Sequence, residues 1–468
     1  MSNPAETEPT ISGSRGNFTE GSIPKHIFKL AGVMIFGFLA MTLGQLVEIF
    51  YLGLVGKSEL AAITFCFPIV MSLNAMTRGI GIGASTLIAQ SMGEGDREQA
   101  ALYTLHCFLL VLAFTLSLAL AGELWARPLF ILLGATDAVL ELATRYFHIW
   151  LVGFPLMGLA LTSNGMIRSF GNVRYPGYIM AIGPVVQVAL GPFLIFGLAG
   201  FPELGIAGAA WTFVVSAGSQ CLVAGYWYVI KERLLRLTLQ SIGQSCVSIL
   251  HVGVPAAATN LIQPLSIGVV TWLLAGFGVS VVAGFGVASR IEAVVGMVII
   301  GISTSVLPLV GQNWGAGQFE RVNETLKVCY QASFIWSILA AMIMWIGAPS
   351  FVRLFSESPD VVKPAVMFLY IIPVTIGFVG MITVSTHCFN ALRKPGPALA
   401  ISLARLIVVY VPLALVASAI FGYIGVFAAT AVTNVIVGLA SVIWNRKVLQ
   451  REKDAVLDAR LSVQVESS

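Results

Sequence analysis

The sequence predicts an all-α integral membrane protein of twelve transmembrane helices, arranged as two six-helix bundles related by a parallel internal repeat. Three observations carry this. First, 57% of the 468 residues are hydrophobic and only 10% are charged, with a mean hydropathy of +0.90; soluble domains typically carry about 25% charged residues. Second, apolar runs of the roughly 20 residues needed to span a bilayer recur along the chain. They lack the alternation of a transmembrane barrel, and backbone in lipid must satisfy its own hydrogen bonds, so they are helices. Third, Gln90-Ser91-Met92-Gly93-Glu94-Gly95 returns 222 residues later as Gln312-Asn313-Trp314-Gly315-Ala316-Gly317. The same offset gives twelve ungapped identities between Leu52/Leu274 and Glu98/Glu320, and Phe170–Gly177 is echoed by Phe389–Gly396. Each half holds six spans, an even number, so both halves enter the membrane with the same orientation. That arrangement is found in one class of secondary transporters.

Residues 1–22 are polar and lack the apolar core of a signal peptide, so they are expected to form a disordered cytoplasmic tail. The N-terminal bundle is assigned to residues 23–230. Its first span, about 26–52, contains Gln45 and Glu48. The second, 60–90, contains Asn74, Arg78 and a small-residue face at Gly79, Gly81 and Gly83 suited to close helix contact. It ends in the first copy of the repeated motif, where Gly93 and Gly95 permit a tight helix exit and Gln90 can bond carbonyls freed there. The run GIGIGAS within this span is no nucleotide loop, since no strand precedes it. The third span (99–121) is apolar, the fourth (138–166) holds Asn164, the fifth (174–198) holds Gln187 between two prolines, and the sixth (204–230) completes the bundle.

The segment 231–245, KERLLRLTLQSIGQS, is basic and amphipathic, and is expected to link the halves as a helix on the cytoplasmic membrane surface. The C-terminal bundle is assigned to 246–447. Its seventh span (246–276) contains Asn260 and Gln263, and the eighth (280–312) contains Arg290 and Glu292. The eighth ends in the second motif copy, with Gln312, Gly315 and Gly317 in the roles of Gln90, Gly93 and Gly95. The ninth (322–347) is apolar, the tenth (362–390) carries His387, the eleventh (396–420) carries Arg405, and the twelfth is 423–445. Residues 448–468 are expected to be a second cytoplasmic tail. Prolines inside the spans, Pro68, Pro155, Pro255 and Pro308 among them, break the hydrogen-bond ladder locally and permit bending.

Eighteen of the 26 Lys and Arg residues fall on the side of the termini, which places both ends in the cytoplasm of a multi-pass plasma-membrane protein, a bacterial inner membrane being the natural setting. The net charge of +4 reflects this bias and is no sign of nucleic-acid binding. The six cysteines are scattered singly, with no CxxC or Cys/His spacing, and read as small packing residues; no metal and no cofactor are expected. The spans hold no paired carboxylates and no His clusters, which argues against an enzyme.

An ionisable side chain at the bilayer centre costs about 2.5–3.5 kcal/mol on insertion scales, so the few present need a reason. Glu48 has no counterpart in the second half, where Val270 stands in its place. An asymmetric acid suits a coupling site confined to one half: as a carboxylate it attracts a cation, as a neutral acid it carries a proton. Glu292 is a second candidate for cation coupling, with a structural pair to Arg405 as its competing role. Gln45, Asn74, Asn164, Gln187, Asn260, Gln263 and His387 are the polar candidates for a substrate cavity, each also able to serve as a helix–helix hydrogen bond.

These residues together resemble the multidrug and toxic compound extrusion (MATE) family, over about residues 25 to 447. The likeness rests on Glu48-Ile49-Phe50-Tyr51-Leu52-Gly53, the paired Gln…Gly-x-Gly segments, Arg168-Ser169-Phe170-Gly171-Asn172 with Pro176, and Ala288-Ser289-Arg290-Ile291-Glu292. The resemblance implies a V of two bundles around a central cavity. It also implies export of amphipathic, mainly cationic, compounds in exchange for protons or sodium; the working unit is expected to be a monomer. The first-helix acid is usually Asp in that family and is Glu48 here. The positions of a fifth-helix Asn and Asp read Gln187 and Gly191, and that of a seventh-helix Glu reads Gln263. None of these substitutes ionises, which favours protons over sodium. A flippase for lipid-linked saccharides is the alternative within the same superfamily; the small number of Arg residues in the spans weighs against it.

Overall fold

The computed structural model describes residues 18–234, 238 and 240–466, which are helical almost throughout and contain no strand. Twelve helices are long and apolar enough to cross a membrane: α1 (Ile23–Val55), α2 (Lys57–Glu94), α3 (Arg97–Leu132), α4 (Ala138–Ser169), α5 (Arg174–Phe196), α6 (Ile206–Lys231), α7 (Ile242–Ala275), α8 (Val279–Gly315), α9 (Phe319–Arg353), α10 (Pro359–Ala391), α11 (Pro395–Phe421) and α12 (Tyr423–Asp458). Local chemistry sets their ends. Pro24 sits in the first turn of α1, where its missing N–H costs nothing. Asp96 caps α3 by accepting from the Gln99 amide at 2.8 Å. Gly95 and Gly317 take φ of +85° and +72° at the exits of α2 and α8, the left-handed conformation their motif was expected to need. Proline bends are supplemented by π-helical turns at Tyr226–Lys231 and Ala404–Tyr410.

The packing divides by depth. On the side away from the termini, one buried cluster (Leu52, Phe130, Trp150, Ile206) belongs wholly to α1–α6, and another (Leu274, Phe285, Phe368, Phe427) wholly to α7–α12. On the side of the termini the clusters span both halves: Ile27 and Leu30 pack with Ile302, Val310, Val384 and Cys388, and Leu87 packs with Ile249. The bundles are therefore joined at the termini side and form a V that opens on the other. Glycine makes the junction possible. A Cβ on Gly79 would lie 2.5 Å from the Gly253 carbonyl oxygen of α7, and one on Gly301 would lie 2.8 Å from Ile35 of α1. The α2–α7 and α1–α8 contacts are equivalents under the repeat, as a two-fold along the membrane normal requires.

Three expectations change. The N-terminal tail was expected to be disordered to residue 22, yet Phe18 and Thr19 are buried; residues 1–17 lie outside the described residues. The last helix was expected to stop before a tail at 448–468, but helix continues through Glu466. Of the surface helix expected at 231–245, residues 235–237 and 239 lie outside the described residues. What is described is a π turn ending at Lys231, a bend at Glu232 and a helix starting at Ile242.

Candidate functional site: an acid in one bundle above a crossed junction

Glu48 lies on α1, half-buried within the N-terminal bundle. Close approach of α1 to α5 puts Gln187 beside it: a Cβ on Gly44 would fall 2.8 Å from the Pro184 ring, and one on Gly37 would fall 2.7 Å from the Met180 sulfur. One turn on, Pro192 has no N–H, which deprives the Val188 carbonyl of its helical donor. The Tyr51 hydroxyl donates to that carbonyl at 3.3 Å, tying α1 to α5 again. Gln187 Nε2 then donates to Glu48 Oε2 at 2.6 Å, and the Tyr146 hydroxyl of α4 donates to Oε1 at 3.3 Å. No basic side chain comes within 4.0 Å of Glu48 among the described residues. Its two partners are both able to donate or accept, so the same shell serves the carboxylate and, after rotation of the amide or hydroxyl, the protonated acid. Among the described residues no group of three or more His, Cys, Asp or Glu is placed to hold a metal ion.

Glu292 is half-buried on α8 and makes no ion pair with Arg405. Arg405 Nη2 instead donates to Asn434 Oδ1 at 2.8 Å, and Asn434 Nδ2 donates to the Thr375 hydroxyl at 3.1 Å. Glu292 and Arg405 still lie within electrostatic range of each other, while the direct hydrogen bond of Arg405 goes to a neutral acceptor from α12.

The polar candidates separate into two groups. Asn164 donates to the Pro176 carbonyl at 3.0 Å and Asn260 to the Ala256 carbonyl at 2.9 Å, both helix-packing bonds. Gln45 and Gln263 are exposed. The Oδ1 of Asn74 is buried without a partner. His387 on α10 donates from Nδ1 to the Thr383 carbonyl at 2.8 Å, and its ring is within electrostatic range of the Arg168 guanidinium. Arg168 Nε donates to the Asn164 carbonyl at 3.2 Å, Nη1 approaches the Met34 sulfur at 3.1 Å, and the group also lies within electrostatic range of Arg78. Tyr146, Arg78 and Arg168 were not read as site residues from sequence. Arg78 carried a signal, a charge inside a span; Tyr146 carried none.

Below this level the two motif copies cross. The Gln amides were expected to bond carbonyls at their own helix ends. Instead each reaches the freed last carbonyl of a helix in the opposite bundle: Gln90 Nε2 donates to Ala391 O at 2.6 Å, and Gln312 Nε2 to Ser169 O at 2.7 Å. A Cβ on Gly93 would collide with the Gln312 carbonyl, and one on Gly315 with the Gln90 carbonyl. Residues 18–21 close the junction from below. The Phe18 amide donates to Gln312 Oε1 at 3.0 Å, while Arg321 Nη2 and Nη1 donate to the Phe18 and Gly21 carbonyls at 3.1 and 2.9 Å.

A family model described as MatE matches residues 34–193 and again 255–416, one copy to each half. The chain is 32% identical over 433 residues to a FAD transporter of Shewanella oneidensis, covering 92% of this chain and 94% of that one. It is 23% identical over 419 residues to the multidrug export protein MepA of Staphylococcus haemolyticus, covering 87% and 90%. Among solved structures, the Vibrio cholerae MATE transporter VcmN in its bent form is similar with a TM-score of 0.88 at 27% identity, over 92% of this chain and 98% of that one.

Proposed function

The chain belongs to the MatE family of membrane transporters, and on that premise we propose that it is a proton-coupled antiporter that exports amphipathic organic compounds, with Glu48 as the coupling acid. The observation that carries this is the Glu48 shell: one carboxylate, two amphoteric partners and, among the described residues, no basic group within 4.0 Å. In the outward-open V, Glu48 takes a proton from outside, and the neutral acid favours the inward-facing return. On the inner side the proton leaves and the cycle restarts. A shell with a single carboxylate suits a proton better than a sodium ion, so protons drive the cycle, and neither metal nor cofactor takes part. The side of the termini faces the cytoplasm, the membrane is the plasma membrane, and the working unit is one chain.

The substrate has two candidates. Relatives named for multidrug export support drug-like compounds, including the cationic ones expected from sequence. The relative named a FAD transporter supports a phosphate-bearing, flavin-like amphiphile. The test of the coupling is Glu48→Gln in inverted vesicles: pH-gradient-driven transport is abolished while insertion and yield are unchanged. Full gradient-driven transport by that variant would overturn the assignment.

A further inference from the structure

Arg78 sits deep within α2, yet the residue is exposed. Its surroundings show where it is exposed to. Gly81 packs on Thr162 of α4, and Gly79 and Gly83 pack on α7. Ile82, one turn from Arg78 and on the same face, packs against the cluster shared by α1, α8 and α10. Arg78 therefore stands at the floor of the V, one turn above the sealed junction. Among the described residues it makes no hydrogen bond and no ion pair. The Arg168 guanidinium from α4 is within electrostatic range of it, and His387 from the other bundle is within range of Arg168. Asn74, one turn from Arg78 on its open side, holds a buried amide oxygen that has no partner. Two cations of like sign, without an acid between them, are unfavourable unless water or an anion screens them.

We propose that Arg78 and Arg168, with His387 from the facing bundle, form a subsite at the cleft floor for the phosphate groups of an amphipathic substrate. It rests on the transport reading above and names the chemical class of its cargo. Guanidinium forks match phosphate oxygens in a bidentate way that a single ammonium does not. Glu48 is far from this subsite. Counted along antiparallel α1 and α2 at 1.5 Å per residue, the two levels differ by about 20 Å. Proton and anion therefore occupy separate places in the same cleft. A ligand held on Arg168 and His387 touches both bundles, so its binding is sensitive to their relative position.

The test uses the full chain in nanodiscs, with FAD, riboflavin and inorganic pyrophosphate as probes, read by flavin fluorescence and by competition. Arg78→Gln removes a group with no hydrogen-bond or ion-pair partner among the described residues, so the fold is expected to survive, and Arg78→Lys keeps the charge without the fork. The expected result is that FAD binding weakens about tenfold or more in Arg78→Gln, the size of a lost charge-assisted hydrogen bond. Arg78→Lys should be intermediate, and riboflavin, which lacks phosphate, should be unaffected. Pyrophosphate should compete with FAD on the native chain and not on Arg78→Gln. Equal loss of FAD and riboflavin, or unchanged FAD binding in Arg78→Gln, would overturn the subsite. FAD failing to bind the native chain at all would overturn it too. Its failure is separable from that of the coupling: Glu48→Gln should bind FAD normally yet fail in gradient-driven transport, whereas Arg78→Gln should still move a cationic dye in response to a pH gradient.

Discussion

Substituting Gln312 by Ala tests whether the repeated motif is the lock between the bundles. Gln312 is fully buried and makes two bonds between elements: it accepts from the Phe18 amide at 3.0 Å and donates to the Ser169 carbonyl at 2.7 Å. In the sealed state the variant leaves both backbone groups buried without partners, at about 1–3 kcal/mol each. With the junction open, water satisfies them in native chain and variant alike, so the loss of roughly 2–6 kcal/mol falls on the sealed state alone. An equilibrium of 99:1 inverts at about 5.5 kcal/mol, so the population shift should be large and readable. Gln90→Ala removes one such bond and should shift the balance by about half as much. The assay is a spin–spin distance distribution between labels at the exposed positions Glu98 and Asn323, one in each bundle on the termini side. A longer-distance population should grow in the order native, Gln90→Ala, Gln312→Ala, with Gln450→Ala, an exposed residue bonded within its own helix, matching native. Distributions unchanged in Gln312→Ala would refute the lock.

Phe18→Ala should act in the same direction as Gln90→Ala, because its ring is 2% exposed in the cluster that joins the bundles; the same labels report it. Gln187→Leu removes the 2.6 Å bond to Glu48, and Tyr146→Phe the 3.3 Å one. Both should slow proton-driven transport, the first more than the second, in initial rates from vesicles; the reverse order would count against the geometry. Glu292→Gln should retain proton-driven transport to within about twofold, since Glu292 lies in the opposite bundle from Glu48 and makes no direct ion pair among the described residues; loss of transport would move coupling chemistry into the second half.

Much of the architecture was legible because lipid leaves a chain few choices. Span length and the 222-residue repeat led to twelve helices in two parallel bundles, and the unmatched acid opposite Val270 led to Glu48. The partners of Glu48 were partly legible: Gln187 stood out as a polar residue in a span, but Tyr146 lies 98 residues from Glu48 along the chain, and only the packing of α4 on α2 and α5, which α1 also touches, brings it near. The motif was recognised with the wrong reach. Sequence alone assigns a Gln near a helix end to its own helix, and nothing local reveals that the opposite bundle's carbonyl is closer. Phe18 was hidden for a related reason: a single aromatic in a polar stretch carries no periodicity, and besides His26 its partners Gln312, Asn313 and Arg321 lie in the other half of the chain. The Arg78–Arg168–His387 grouping draws on three helices and both halves, a juxtaposition no linear pattern encodes.

If Glu48 alone couples transport to protons, proton flux must follow substrate and depend on that one carboxyl. The most direct measurement is proton flux into the lumen of proteoliposomes holding purified protein, started by adding transported substrate in sodium-free buffer. The native chain should move protons when substrate is added, Glu48→Gln should move none, and sodium should change neither result. Proton movement that persists in Glu48→Gln, or transport by the native chain that requires sodium, would contradict this coupling.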